Sequence, residues 1–178
     1  MKLIILDRDG VINEDSPAYI KSADEWHPIP NSLAAIALLN RLGYTVSVAT
    51  NQSGLARGYY DLATLDAIHD KMHQAVKQAG GTIDSLFYCP HVAEDNCACR
   101  KPKPGLLHQI AKHYEVSLDN VHYVGDSYRD LEAGITAGAT PILVLTGNGR
   151  KTLQSHASDC QKIAYYKDLY AFACSLKA

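Results

Sequence analysis

The chain has 178 residues, enough for one domain to bury a full hydrophobic core without a partner. Its 17 Lys and Arg nearly balance 19 Asp and Glu, and apart from Arg100 to Lys103 the basic residues are scattered, which excludes a nucleic-acid-binding stripe. No apolar run approaches the ~20 residues of a membrane helix, and Asp7 and Arg8 arrive before a secretory segment could form, so the expected location is the cytoplasm.

Leu3 to Leu6 is a short apolar run without polar interruption, the pattern of a strand buried on both faces. It stops at Asp7-Arg8-Asp9-Gly10, just past its carboxyl end, where open α/β sheets build their ligand sites. Two ionised carboxylates two residues apart repel each other, and a divalent cation between them is the simplest remedy; a solvated turn that merely ends the strand is the alternative. Glu14 to Pro30 then reads as an irregular segment long enough to overhang a site. A helix is predicted from Asn31 through Leu42, closed by Gly43, and a second strand from Tyr44 to Ala49 that stops at Thr50-Asn51-Gln52-Ser53-Gly54. Asp61 caps a helix carrying Leu62, Leu65, Ile68, Met72 and Val76 on one face.

A third strand, Ile83 to Tyr88, leads into a cysteine-rich loop and Lys101-Pro102-Lys103-Pro104, followed by a helix from Gly105 to Tyr114. The fourth strand, Val121 to Val124, ends in Gly125-Asp126-Ser127-Tyr128-Arg129-Asp130, with a helix from there to Ala137. A fifth strand is predicted from Pro141 to Leu145 and a closing helix from Tyr166 to Leu176. Strands alternating with helices at this spacing predict a single α/β domain over residues 1–178, a doubly wound parallel sheet with helices on both faces.

Polar residues recur at the strand ends: Asp7 and Asp9, Thr50 and Asn51, Lys101, then Asp126 and Asp130. Parallel strands bring all of them to one edge. Carboxylates suit magnesium, which takes its remaining oxygens from water and phosphate, and Thr50, Asn51 and Lys101 are donors for phosphate oxygens. A carboxylate in such a site can attack phosphorus and form an aspartyl phosphate that water hydrolyses. In the loop after the third strand, residues 89–99, Cys89, His91, Cys97 and Cys99 offer three thiolates and an imidazole, a closed tetrahedral set suited to structural zinc. Three free thiols and an unrelated histidine are the alternative. Cys160 and Cys174 read as ordinary buried thiols.

DRDG after a strand, Thr50 at the second strand end, KPKP at Lys101 and GDSYRD at Gly125 resemble, in order and over nearly the whole chain, the four motifs of the haloacid dehalogenase superfamily of phosphohydrolases. The resemblance implies Asp7 as nucleophile and Asp9 as the general acid that protonates the leaving alkoxide and later activates water. It implies Thr50 and Lys101 as stabilisers of the transferring phosphoryl group, and magnesium held by Asp7, Asp126 and the backbone carbonyl of Asp9, with Asp130 supporting from behind. Thr50 as a helix cap and Asp130 as a surface partner of Arg129 are the plainer alternatives. The intervals between motifs leave no room for a separate cap domain, so Glu14 to Pro30, Leu55 to Tyr60 and the zinc loop are the candidates for selectivity.

Cys99-Arg100-Lys101-Pro102 behind the cysteine loop, with Ala49 to Gly54 as ATNQSG, is similar to the D-glycero-D-manno-heptose 1,7-bisphosphate phosphatase branch. Membership implies removal of the 7-phosphate on the way to a nucleotide-activated heptose for surface polysaccharide such as lipopolysaccharide. Implied substrate contacts are Thr50, Asn51, Gln52, Ser53, Arg100 and Lys101, with Asp15 and Tyr19 from the overhanging segment; Ser127 stands where some relatives carry Lys. The partner expected is a small phosphorylated sugar, with no nucleic acid or membrane, and the chain is expected to be a monomer. The related histidinol-phosphate phosphatases share the loop, but Arg100 suits an anionic second phosphate better than a cationic amine. A non-catalytic phosphate-binding module would be signalled by loss of Asp7 or Asp9, and both are present.

Overall fold

The computed structural model describes residues 1–177. Six strands, β1 (Lys2–Leu6), β2 (Tyr44–Asn51), β3 (Ser85–Cys89), β4 (His122–Gly125), β5 (Thr140–Val144) and β6 (Ala164–Tyr166), form one parallel sheet in the order β3-β2-β1-β4-β5-β6. Leu6 stands opposite Val48 of β2 on one side and Val124 of β4 on the other. The winding direction reverses between β1 and β4, which opens a crevice above their carboxyl ends.

Alternation along β1 explains why it reads as continuously apolar. Ile4 and Leu6 face one way, with Val46 and Val48, against α1 (Ser32–Arg41), α2 (Leu62–Gln78) and α7 (Leu169–Ser175) through Ile36, Leu39, Ile68, Met72 and Phe172. Leu3 and Ile5 face the other way, against Leu106, Leu107 and Ile110 of α3 (Gly105–Tyr114) and Ala133 of α4 (Tyr128–Ala137). Each such side chain removed from water contributes about 1.5–3 kcal/mol, which fixes the strand's register and so the height of Asp7 above the sheet. Trp26 and Ile20 of the overhanging segment are buried in the first of these cores, and Lys71 of α2 donates to the carbonyls of Ala23 and Trp26 at 2.6 and 2.9 Å. The segment is therefore anchored over the crevice. No separate cap is present among the described residues, and no described helix is long and apolar enough to cross a membrane.

Several expected elements differ in extent, β1 and α1 only by a residue at an end. β2 runs on through Thr50 and Asn51, which pair with Tyr88 and Cys89 of β3, so Thr50 is a strand residue and not a helix cap. β3 begins at Ser85 and includes Cys89, and β4 and β5 are each shifted by one residue. The closing helix starts at Leu169, because the Asp168 side chain accepts from the N–H of Ala171 at 2.7 Å; Tyr166 belongs instead to a sixth strand. That edge strand, Ala164–Tyr166, is short and largely exposed, and so carries no apolar pattern to read. α5 (Gly149–Ser155) and α6 (Ala157–Cys160) escape the pattern for the same reason. Cys160 is buried as expected, but Cys174 is only half-buried.

Candidate active site

A cleft of about 870 Å³ opens at the carboxyl edge of the sheet. It is lined by Asp7 and Asp9 after β1, Thr50 to Ser53 at the end of β2, Arg100 and Lys101 after the cysteine loop, and Asp126, Ser127 and Arg129 after β4. The segment after Asp9 supplies Glu14 to Pro17, Tyr19 and Ile20, and a loop after β5 supplies Thr146 to Asn148.

Lys101 occupies the floor. Its buried ammonium lies 2.8 Å from Asp7 Oδ1 and 2.7 Å from Asp130 Oδ1, and donates to the Tyr123 hydroxyl at 2.9 Å and the Ala49 carbonyl at 3.0 Å. Burial alone would lower its pKa, but the charges of Asp130 and Asp7 outweigh it and hold the lysine protonated. Asp130 does not line the cleft. It is 1% exposed, takes hydrogen bonds from Tyr123 at 3.0 Å and from the Ser127 hydroxyl at 2.6 Å, and does not lie on the surface beside Arg129. Burial pushes the Asp7 carboxyl well above its ordinary value, the charge of Asp130 adds to this, and Lys101 opposes both.

Asp9 sits in a different environment. Arg8, 1% exposed, donates from Nη2 at 2.8 Å and from Nε at 3.1 Å to Asp9 Oδ1, and Asn13 Nδ2 adds a third bond to that oxygen at 2.8 Å. Gln52 Nε2 reaches Asp9 Oδ2 at 3.0 Å while also donating to Thr50 Oγ1 at 2.9 Å, and Tyr60 fixes the Gln52 carbonyl at 2.8 Å. Burial would raise Asp9, but Arg8 and the amide donors prevail, and its carboxyl is held below the ordinary value. Arg8 in turn pairs Nη1 with His69 Nε2 at 3.1 Å. Burial, with the Arg8 charge, pulls His69 down to about 3, so a neutral ring accepts from the guanidinium.

Asp126 is pushed up to about 7 by burial and by Asp130, against the hydrogen bond from the Asn148 N–H, which reaches its Oδ2 at 2.7 Å. The loop after β5 closes tightly on this group: a Cβ at Gly147, whose φ is +52°, would fall 2.2 Å from Asp126 Oδ2 and 2.6 Å from the Gly10 Cα. Thr146 donates to the Gly10 carbonyl at 2.7 Å, joining the loop to the turn that carries Asp7 and Asp9. Asp7, Asp126 and Asp130 bring carboxylate oxygens within 4.8 Å of one another, an all-oxygen donor set suited to a hard cation. Since Asp130 already serves Lys101, Tyr123 and Ser127, the two carboxylates facing the cleft, Asp7 and Asp126, are the pair with capacity for a metal. Burial first and the charge of Asp130 second raise both carboxyls, and a cation held between them would oppose both effects.

The second candidate metal site lies beside the cleft. Cys89 Sγ is 3.2 Å from Cys99 Sγ and 3.6 Å from Cys97 Sγ, and His91 Nδ1 is 3.6 and 3.5 Å from Cys89 and Cys99. A zinc ion about 2.3 Å from each sulfur sets tetrahedral neighbours roughly 3.8 Å apart, so the four groups could close on one ion with little movement. Without metal, burial raises Cys89 to about 12, whereas at Cys97 burial is outweighed by the Arg100 N–H together with hydrogen bonds from Cys99 and Cys89, which lower it to about 7. The loop hands directly to Arg100, whose Nη1 donates to the His91 carbonyl at 3.1 Å, and the Lys101 backbone is clasped by Asn51 through two reciprocal 3.1 Å bonds.

The structure thus brings together in one cleft every residue expected from the strand ends except Asp130, which lies beneath it. Asp15 and Tyr19 join from the overhanging segment, but Leu55 to Tyr60 lines none of the cleft and acts only through the Tyr60 bond to Gln52 and the packing of Tyr59 on Tyr19. Sequence reasoning missed Tyr123 under Lys101, Arg8 and His69 behind Asp9, and Thr146 to Asn148. The last could have been found, since they follow the fifth parallel strand at the same edge; Tyr123 and His69 are strand and helix residues and Arg8 a turn residue, with no local signature of these contacts.

A family model described as HAD-hydrolase-like matches residues 98–171. The chain is 62% identical over 153 residues to the D-glycero-beta-D-manno-heptose-1,7-bisphosphate 7-phosphatase of Bordetella bronchiseptica, covering 86% of each chain. With the protein of that name from Pseudomonas putida it shares 54% identity over 176 residues, 99% of each. The crystal structure of D,D-heptose 1,7-bisphosphate phosphatase from B. bronchiseptica, complexed with magnesium and phosphate, superposes with a TM-score of 0.96 at 57% identity, covering 99% of this chain and 98% of that one.

Proposed function

Because the chain belongs to the HAD-like hydrolases, in the branch of the D-glycero-beta-D-manno-heptose-1,7-bisphosphate 7-phosphatases, we propose that it removes the 7-phosphate of the beta anomer of that bisphosphate with magnesium. The observation that carries this reading is the cleft itself. One buried carboxylate, Asp7, touches a protonated lysine and stands beside a second cleft-facing carboxylate, Asp126, while a third, Asp9, is held apart by Arg8. Burial and Asp130 raise Asp7, so the nucleophile relies on Lys101 and a bound cation to stay ionised, while Arg8 lowers Asp9, which must be released from that guanidinium to carry a proton.

Asp7, Asp126 and the backbone carbonyl of Asp9 would hold magnesium, which supplies positive charge against the phosphate oxygens when bound. On this reading Asp7, the nucleophile, attacks the 7-phosphorus through the carboxylate oxygen that Lys101 does not hold. Thr50 Oγ1 and the Lys101 ammonium stabilise charge on the equatorial oxygens. Asp9 gives its proton to the departing sugar oxygen and then takes one from the water that splits the aspartyl phosphate. Its present bonds favour the carboxylate, the form needed for the water step; turning away from Arg8 removes the main influence that lowers its pKa and lets it carry the proton in the first step. Asn51, Gln52, Ser53, Arg100, Asp15 and Tyr19 are the proposed substrate contacts, with Arg100 suited to the phosphate that is not cleaved. The cysteine loop would hold structural zinc on Cys89, His91, Cys97 and Cys99 and so fix the approach of Arg100 and Lys101. The product would feed nucleotide-activated heptose synthesis in the cytoplasm.

The test is phosphate release with magnesium from both anomers of the heptose bisphosphate and from histidinol phosphate in parallel. Preference for the beta anomer by an order of magnitude or more in kcat/KM is expected. Preference for histidinol phosphate, or no release from any of the three, would overturn the assignment.

A further inference from the structure

The loop after β5 belongs to none of the four motifs, yet one of its side chains bridges the metal-site carboxylate and the substrate segment. Asn148 Nδ2 donates to Asp15 Oδ2 at 2.9 Å and lies 3.3 Å from Asp126 Oδ2, while its own main-chain N–H already holds that Asp126 oxygen at 2.7 Å. The stronger of the two side-chain bonds therefore goes to Asp15. Asp15 is pinned on its other oxygen by the Ser16 N–H at 2.8 Å, so its carboxylate is fixed from both sides at the rim of the cleft. Asn148 Oδ1 accepts no hydrogen bond from the described residues. The pair then presents a carboxylate and an amide carbonyl side by side, all acceptors. Acceptors of this kind pair with the hydroxyl donors of a polyol and repel a phosphate.

We infer that Asn148 is a specificity-determining residue, which holds Asp15 in place and forms with it a hydroxyl-binding element for the sugar portion of the substrate. This rests on the reading of the cleft as a sugar bisphosphate phosphatase site. It also orients the substrate: the carbon chain with its hydroxyls runs past Asp15 and Asn148, and the uncleaved phosphate lies away from them, toward the guanidinium of Arg100 that lines the same cleft.

The experiment compares Asn148→Ala, Asp15→Ala and the double variant with the unaltered chain, using beta-heptose 1,7-bisphosphate and, as a substrate too small to reach the element, acetyl phosphate. Each single variant should raise KM for the bisphosphate about three- to tenfold, as loss of one or two hydrogen bonds does, with kcat changed less than about threefold. The double variant should be no worse than the poorer single one, because either change dismantles the same element. In Asn148→Ala the constants for acetyl phosphate and the magnesium concentration giving half activity should change less than KM for the bisphosphate, since the main-chain N–H still holds Asp126 when the longer 3.3 Å side-chain contact is lost. Unchanged KM in Asn148→Ala, or single effects that multiply in the double variant, would overturn the inference; so would a shift in the magnesium requirement with KM unmoved. If the unaltered chain does not prefer the bisphosphate, it is the functional reading that has failed.

Discussion

Replacing Lys101 with Met should separate the lysine's structural role from its catalytic one. Its ammonium is the counter-charge for two carboxylates, Asp7 at 2.8 Å and Asp130 at 2.7 Å, and Asp130 is 1% exposed. Deleting one partner of a buried ion pair costs about 3–5 kcal/mol, because the other charge stays desolvated. For a chain of 178 residues, 1 kcal/mol moves Tm by about 2–4 °C, so Lys101→Met should melt roughly 6–20 °C lower. Adding Asp130→Asn removes the stranded charge and keeps one acceptor oxygen for the Ser127 N–H and hydroxyl, while its NH2 faces the Tyr123 hydroxyl, which can accept from it. The double variant should therefore recover about 2 kcal/mol or more of the loss, a clear departure from additivity. Activity should not recover: kcat falls about 100- to 1000-fold in both variants, since phosphoryl charge has lost its buried cation. Thermal melts without added magnesium and phosphate-release kinetics read the two effects separately. Additive losses of stability, or a Lys101→Met protein that melts within about 2 °C of the unaltered chain, would refute the reasoning.

A carboxyl whose folded pKa is raised stabilises most below its unfolded value and loses that contribution as pH climbs through the folded one. Asp126, moved from 3.8 to about 7, should therefore make the magnesium-free chain lose up to about 4 kcal/mol relative to Asp126→Asn between pH 4 and pH 8, and parallel melting curves across that range would contradict this. Cys97→Ser should take zinc well below one per chain by metal analysis and lower Tm by roughly 5 °C or more; unchanged stoichiometry and melting would remove the zinc proposal. Tyr123→Phe takes one hydrogen bond from Lys101 and one from Asp130, and should cost about 1–2 kcal/mol with a fall in kcat; an unaltered kcat would mean that the hydroxyl has no part in positioning the lysine.

The sheet and most of the cleft were legible because both depend on short-range pattern. An unbroken apolar run as short as Leu3 to Leu6, ended by Asp and Gly, reads as a strand covered on both faces, and polar residues that end parallel strands share an edge. What escaped is what only the third dimension assembles. Arg8 lies between two motif residues, yet nothing local tells that it turns inward to His69, 61 residues away. Tyr123 reads as one more core residue of a strand, and its hydroxyl matters only because Lys101 arrives beneath the sheet edge from a loop. Asn148 follows a strand whose end could have been examined like the other four, but its partners, Asp15 and Asp126, come from distant turns. Edge strand Ala164–Tyr166 was lost because exposure erases the alternation on which strand prediction depends.

The most direct test of the central claim is to follow the phosphoryl group itself. The chain would be mixed with beta-heptose 1,7-bisphosphate labelled at either phosphate, quenched in acid within one turnover, and the labelled peptide identified. Label from the 7-position should appear transiently on the peptide containing Asp7, be absent in Asp7→Asn, and never arise from the 1-position. Label on another residue, transfer from the 1-position, or rapid release with no labelled peptide in any quench would contradict the account.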